Sequence, residues 1–230
     1  MTAVGPTRLR LLGEPAWAGA DTAWQPLAGK DALMLARLAL DGPQPRAEMA
    51  AWLWPQVPPP RANANLRQRL FRLRQAGAEL VREDAATLHL AAGIACDTLA
   101  LADNAAGVPD ELADGRLPAL LQTVTLEPDS RRSADLLDWL DRARQVCAAQ
   151  ALDRLARRAW HDLGEGSLAA ALHGAERLLL LEPLREHSWR LLMRVHHQRG
   201  DRAAAINAFE RCERLMREEL GVRPAPETLA

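Results

Sequence analysis

The sequence predicts an α+β domain over residues 1–96, followed by an all-α domain over residues 97–230. The first part alternates strand-like and helix-like patterns and ends in two strand-like runs typical of a hairpin. The second part has helical periodicity and a repeat of 34 residues. With 230 residues, the chain is long enough for two domains that each bury a core.

The α+β part begins with two predicted strands. Residues 8–12 alternate basic and apolar side chains and stop before Gly13 and Pro15. Residues 24–27 form a second short run of the same kind. Both runs are bounded by turn-forming residues, so we expect a small N-terminal sheet.

Three helices are predicted next, and a hairpin comes after them. The first helix covers residues 30–40, and the second runs from residue 45 to residue 54 between two prolines. After a rigid triple-proline connector, a third helix is expected over residues 63–76. Residues 79–82 and 87–90 then predict a hairpin with a loop at 83–86, so the order is that of a winged helix-turn-helix.

The third predicted helix has an apolar side and, opposite it, a side with polar and basic residues. Leu66, Leu70 and Leu73 follow an i, i+4, i+7 spacing and predict a buried stripe. Gln68 and Arg72 lie on the opposite face, spaced i, i+4. An α-helix fits the major groove, where Gln and Arg pair bidentately with adenine and guanine. We therefore predict that Gln68 and Arg72 contact bases.

Further arginines flank this face. Arg69 lies beside it and Arg67 and Arg74 lie on a flank, where they can hold phosphates. Arg82, on the predicted wing, can enter a minor groove. The alternative is a solvated basic face or pairing with acidic residues of the next domain, and for Arg82 it is a strand-end charge paired with Glu83. The acidic residues near the wing tip would also repel phosphates.

Positive charge is concentrated although the whole chain has a net charge of −1. Residues 1–95 have 11 basic and eight acidic side chains, which gives +3, whereas residues 96–130 have a net charge of −6 and residues 131–230 of +2. Residues 60–82 hold six arginines and one acid, Glu79. Such a local concentration attracts a polyanion more strongly than the net charge suggests.

Cysteine usage and the N-terminus predict a cytoplasmic protein. The three cysteines are widely spaced and form no Cys-x-x-Cys motif, which favours a reducing compartment without disulfides. The first ten residues lack the apolar core of a signal peptide, and the apolar runs are too short to span a membrane.

Neither catalysis nor metal binding is predicted. His196 and His197 are adjacent and therefore point to different sides of a helix, and no cysteine lies near them in sequence. We find no Ser-His-Asp set, phosphate-binding glycine loop or paired carboxylates. We expect no enzyme, no metal and no cofactor.

The second half contains an internal repeat. Residues 168–172 recur as 202–206, and Glu176-Arg177 recurs as Glu210-Arg211, both after 34 residues. This is the period of tetratricopeptide repeats, whose small residues let paired helices approach closely. We expect the chain to be helical from about residue 99, interrupted by an acidic, proline-containing segment over 110–129. The predicted helices cover residues 133–163, 167–181, 185–199 and 202–219.

Several short motifs, taken together, resemble the SARP-type activators, the antibiotic regulatory proteins of actinomycetes. Residues 179–186, 200–205 and 218–224 resemble the bacterial transcriptional activator domain of that family. The motifs occur in the family's order and cover nearly the whole chain. Those of the first half are residues 10–13, 53–55, 65–68 and 72–74.

The resemblance implies a winged helix similar to that of response regulators, with residues 63–76 as recognition helix. It places Gln68 and Arg72 at bases, and Asn65, Arg69 and Arg74 near phosphates. It further implies double-stranded promoter DNA as partner, homodimers on direct repeats and recruitment of RNA polymerase. Phe71 and Arg69 stand where small residues are common in the family, which leaves the operator sequence open.

An alternative of another class stays open. The chain could be a helical-repeat adaptor whose winged helix mediates protein contacts, and the near-neutral net charge favours this. In either case we expect the repeats to serve dimerisation or a regulatory partner through a face near Arg214, Arg217 and Glu218. A bundle that only buttresses the winged helix is the alternative to that role.

Overall fold

The computed structural model describes residues 6–20, 22–102, 119–126 and 133–229. By packing, the chain divides into two compact units, and in the described residues the division lies between 149 and 150. Most of the predicted acidic segment over 110–129 lies outside the described residues. The domain boundary predicted at 96/97 stays a prediction.

The first unit contains a four-stranded sheet near the N-terminus. Its strands are β1 (Arg8–Arg10), β2 (Ala16–Ala18), β3 (Gln25–Pro26) and β7 (Ala95–Cys96). Their order is β3-β2-β1-β7, and β1 runs parallel to β7. The sequence predicted β1 and β3 but missed β2, because all three of its residues are buried and show no alternation.

The carboxylate of Asp97 closes this sheet at the end of β1. It accepts hydrogen bonds from the backbone N–H of Leu11 at 3.0 and 2.9 Å and of Leu12 at 2.8 Å. Leu120 forms an isolated antiparallel bridge to Leu12, and the N–H of Leu121 donates to the carbonyl of Leu11 at 2.8 Å. Residues 119–126 lie within the segment predicted to interrupt the helices and are not helical, and the backbone of 119–122 pairs with residues 11–13 at the end of β1.

The three predicted helices of the first unit are present as α1 (Gly29–Leu40), α2 (Arg46–Leu53) and α3 (Pro59–Gln75). The predicted start of α3 at residue 63 is wrong by four residues. Pro59 and Pro60 belong to its first turn, where a missing N–H loses no intrahelical hydrogen bond.

A three-stranded sheet forms the wing. Its strands are β4 (Gln44–Pro45), β5 (Val81–Asp84) and β6 (Thr87–Leu90), in the order β4-β6-β5. The loop predicted at 83–86 is shorter in the structure, because Glu83 and Asp84 belong to β5. The sequence did not predict β4, whose Pro45 was expected to begin the second helix.

Helices make up most of the described chain after β7. They are α4 (Asp97–Ala102), α5 (Ala134–Gly164), α6 (Leu168–Leu181), α7 (Glu186–Gln198), α8 (Arg202–Leu215) and α9 (Pro226–Leu229). The prediction of one helix over 202–219 needs a correction, because Met216–Leu220 is π-helical. Within the described part of the chain, no helix is both long and apolar enough to cross a membrane.

The 34-residue repeat shapes the core of the second unit. Gly174 and Ala208 are both buried, and so are Leu178 and Cys212, each pair separated by 34 residues. Gly174 faces Ala159 so closely that a Cβ on it would lie 2.6 Å from the Ala159 Cβ. Only glycine lets α6 approach α5 at this point.

We expect Gly174→Ala to lower the free energy of unfolding by about 1–3 kcal/mol, because the added methyl overpacks the contact with Ala159. Urea unfolding followed by circular dichroism measures this. Gly164→Ala is the matched control, since nothing lies within 4 Å of a Cβ at that position and its φ is not positive. Equal stability of the two variants would contradict the close approach.

Candidate nucleic-acid interface

The α3 helix buries one side and exposes the other. Leu66, Leu70 and Leu73 are buried together with Ala62, so the predicted stripe is confirmed. This side packs on α2, whose own buried residues are Met49, Ala50 and Leu53. The two helices and the residues between them form the expected helix-turn-helix.

The connector between α2 and α3 is anchored in the core. Trp54 is buried, and the Lys30 ammonium lies 4.9 Å from the centre of one of its rings. Because Lys30 belongs to α1, this cation–π contact ties the turn to the first helix.

The solvent side of α3 carries both predicted base-contacting residues. Gln68 and Arg72 are exposed, as the spacing predicted. The structure adds side chains that sequence reasoning did not assign to this face. Arg61 lies before the predicted helix start at 63, Gln75 lies in the last turn, and Phe71 is apolar, so no pattern of charge or hydrogen-bonding groups marked them. The complete exposed face consists of Arg61, Ala64, Gln68, Phe71, Arg72 and Gln75.

The flanks of α3 hold the predicted phosphate-contacting residues. Arg67 and Arg74 are exposed, and Asn65 is half-buried. The helix contains five arginines and no acidic residue. Its surface is therefore uniformly cationic or neutral, which suits an anionic ligand.

Arg69 differs from the other arginines of α3 because it forms an ion pair with an acid of another helix. Its Nη1 lies 3.4 Å from Oδ2 of Asp31 in α1, and its side chain is only 24% exposed. Burial raises the pKa of the Asp31 carboxyl, and the positive charges of Arg69 and Arg72 oppose this rise without cancelling it. Arg69 thus has a structural contact, and its predicted role at phosphates stays a prediction.

The charged side chains of the wing form two separate ion pairs. Arg82 lies 3.8 Å from Asp84, and both side chains are well exposed. Glu83 instead forms an ion pair with Arg46 at the start of α2. Arg82 therefore has an acidic neighbour other than the Glu83 considered from sequence, and the charge of Glu83 is matched by Arg46.

Comparison with known proteins matches most of the chain to one family. Residues 72–230 match the model of the bacterial transcriptional activator domain. The regulatory protein AfsR of Streptomyces griseus is 28% identical over 238 residues, which cover 98% of this chain and 23% of that protein. The transcriptional regulatory protein MoaR1 of Mycobacterium tuberculosis is 43% identical over 51 residues, 22% of this chain and 16% of that protein. The chain matches less than a quarter of the length of either relative.

A solved structure shares the fold. Mycobacterium tuberculosis EmbR, in complex with a low-affinity phosphopeptide, has a TM-score of 0.67 and 19% sequence identity. The match covers 97% of this chain and 63% of that one. The α+β winged helix-turn-helix followed by a tetratricopeptide-like helical domain, predicted from sequence, is confirmed at the level of fold.

We expect Arg69→Ala to lower the free energy of unfolding by about 1–3 kcal/mol, because it leaves the buried Asp31 carboxylate without its partner. Arg74→Ala is the matched control on the same helix, since the Arg74 side chain is exposed, and its effect should stay within about 0.5 kcal/mol. Thermal and urea unfolding measure both. Equal stability of the two variants would show that the Asp31 contact contributes nothing.

Proposed function

The chain belongs to the bacterial transcriptional activator domain family, and we propose that it is a sequence-specific DNA-binding transcription regulator that acts as an activator. The exposed face of α3 carries this proposal. It presents Gln68 and Arg72 on a helix with five arginines and no acid, in the second position of a helix-turn-helix. Such a helix lies in the major groove with its polar side chains on base edges.

In this proposal, residues 1–96 bind DNA and residues 97–230 form the regulatory helical domain. Gln68 and Arg72 contact bases, while Asn65, Arg67 and Arg74 hold phosphates and fix the register. Arg69 reaches a phosphate while it contacts Asp31. Arg82 approaches the minor groove from the wing, beside Asp84.

The proposed partners are double-stranded promoter DNA, a second copy of the chain on direct repeats and RNA polymerase. The helical domain offers a further surface for a regulatory partner. We place the protein in the cytoplasm and propose no catalytic activity, since the relatives are named as regulators. Selection of bound duplexes from a random pool tests the proposal directly, and failure to enrich any sequence would favour the adaptor alternative.

We expect Gln68→Ala and Arg72→Ala to relax base preference about tenfold or more at one or two positions, because each removes a bidentate contact worth roughly 1–3 kcal/mol. Competition binding with single-base variants of the selected site measures this. Arg74→Ala is the control, and it should weaken all sequences equally and reduce the slope of log affinity against log salt by about one. Wild-type preference in both base variants would refute the assignment of this face.

We expect cooperative binding to a pair of direct-repeat half-sites, and Arg214→Glu should reduce the cooperativity about tenfold or more, because it reverses a charge on the exposed side of α8. Titration of the full chain on single and paired half-sites measures this. Arg199→Glu is the control, because Arg199 is an exposed arginine outside α8, at the end of α7. Unchanged cooperativity in both variants would show that this side of α8 does not mediate dimerisation.

A further inference from the structure

Phe71 is a large apolar side chain on the mostly polar exposed face of α3. It is 59% exposed, and it belongs to a row on α3 made of Ala64, Gln68, Phe71 and Gln75, spaced i, i+4, i+7, i+11. Arg72 lies about one helical turn after Gln68, at i+4, and is therefore its neighbour on the helix surface. Phe71 therefore lies on the same face as the two residues proposed to contact bases.

More than half of the Phe71 side chain remains exposed in the folded chain. Most of the tryptophans have a cation over a ring, as Trp54 has Lys30, but among the described residues Phe71 has no such contact. Arg67, Arg72 and Arg74 are all near it in sequence and leave it open. Single exposed apolar residues are common on protein surfaces, so the informative observation is the position of Phe71 beside Gln68 and Arg72 on a helix with five arginines.

The chemistry of the major groove supplies one apolar feature, which is the C5-methyl group of thymine. An apolar protein surface is the alternative occupant, but five arginines without an acid on the same helix favour an anionic partner. Every adenine that Gln68 could contact is paired with a thymine whose methyl group lies in the same groove. The ring next to Gln68 is placed to reach that methyl or the one at the adjacent step.

We propose that Phe71 determines specificity by packing against a thymine methyl group within one base-pair step of the adenine contacted by Gln68. This inference rests on the proposed function and deepens it, because it predicts a T·A pair that polar contacts alone do not select.

The test uses the full chain and a duplex selected from a random pool. Each thymine is replaced in turn by deoxyuridine, which removes only the C5-methyl group. One replacement should weaken wild-type binding about fourfold, the effect of one methyl group, and it should lie in the base pair relaxed in Gln68→Ala or in the next one. Phe71→Ala should bind the unmodified duplex more weakly and lose sensitivity to that replacement, whereas Phe71→Leu should keep part of it.

Two controls make the outcome decisive. Ile206→Ala removes an equally exposed apolar side chain, 60% against 59%, from the helical unit, and it should leave the thymine sensitivity unchanged. Phe71→Ala should unfold at the wild-type urea concentration, because its side chain is exposed. If no duplex is enriched, the proposed function itself fails. If a duplex is bound but no deoxyuridine replacement matters, or if Phe71→Ala changes only cooperativity, DNA binding stands and the role of Phe71 is overturned.

Discussion

The buried stripe of α3 is the constraint on which the proposed interface depends. A rigid helix that buries Leu66, Leu70 and Leu73 can present only one set of side chains to solvent. A rotation by one residue would turn Gln68 aside and expose a leucine. The contacts of α1 with Trp54 and Arg69 hold the same orientation from a second helix. Apolar packing thus decides which polar groups are offered to a ligand.

The net charge of −1 gives no indication of the positive charge that is concentrated on α3. Two arginines of the winged helix pair with an acid on another helix or strand, since Arg46 contacts Glu83 and Arg69 contacts Asp31. These ion pairs hold the arginine side chains in place. They also balance the negative charges of Glu83 on the wing and of Asp31 in α1. The arginines that remain exposed on α3 are Arg61, Arg67, Arg72 and Arg74.

The sequence predicted what depends on local periodicity and missed what depends on distant partners. The leucine stripe and the 34-residue repeat are regular patterns, so the amphipathic helix and the paired helices could be read directly. The two-residue strand β4 and the bridge of Leu120 to Leu12 leave no local pattern, because backbone pairing across the chain creates them. Pro59 was misjudged since proline fits a helix start as well as a connector.

The same difference between local and distant signals applies to the residues of the proposed DNA interface. Gln68 and Arg72 were predictable because their spacing places them opposite the stripe. The spacing of Phe71 places it on the same side, but an apolar residue is expected inside, so its exposure became clear only from the structure. The Arg69–Asp31 contact joins α3 to α1, and nothing in the spacing of either helix indicates it.

Asp97 limits where the chain can be cut if the winged helix is to be moved into another protein. Its carboxylate binds the N–H groups of Leu11 and Leu12, and the backbone of 119–122 pairs with the same segment. A piece cut after residue 96 would lose both, and the strand edge at residues 11–13 would be left open to water or to another chain. The unit that can be transplanted intact is therefore longer than its motifs, and a graft that keeps the specificity of α3 has to carry Asp97 and residues 119–126 with it.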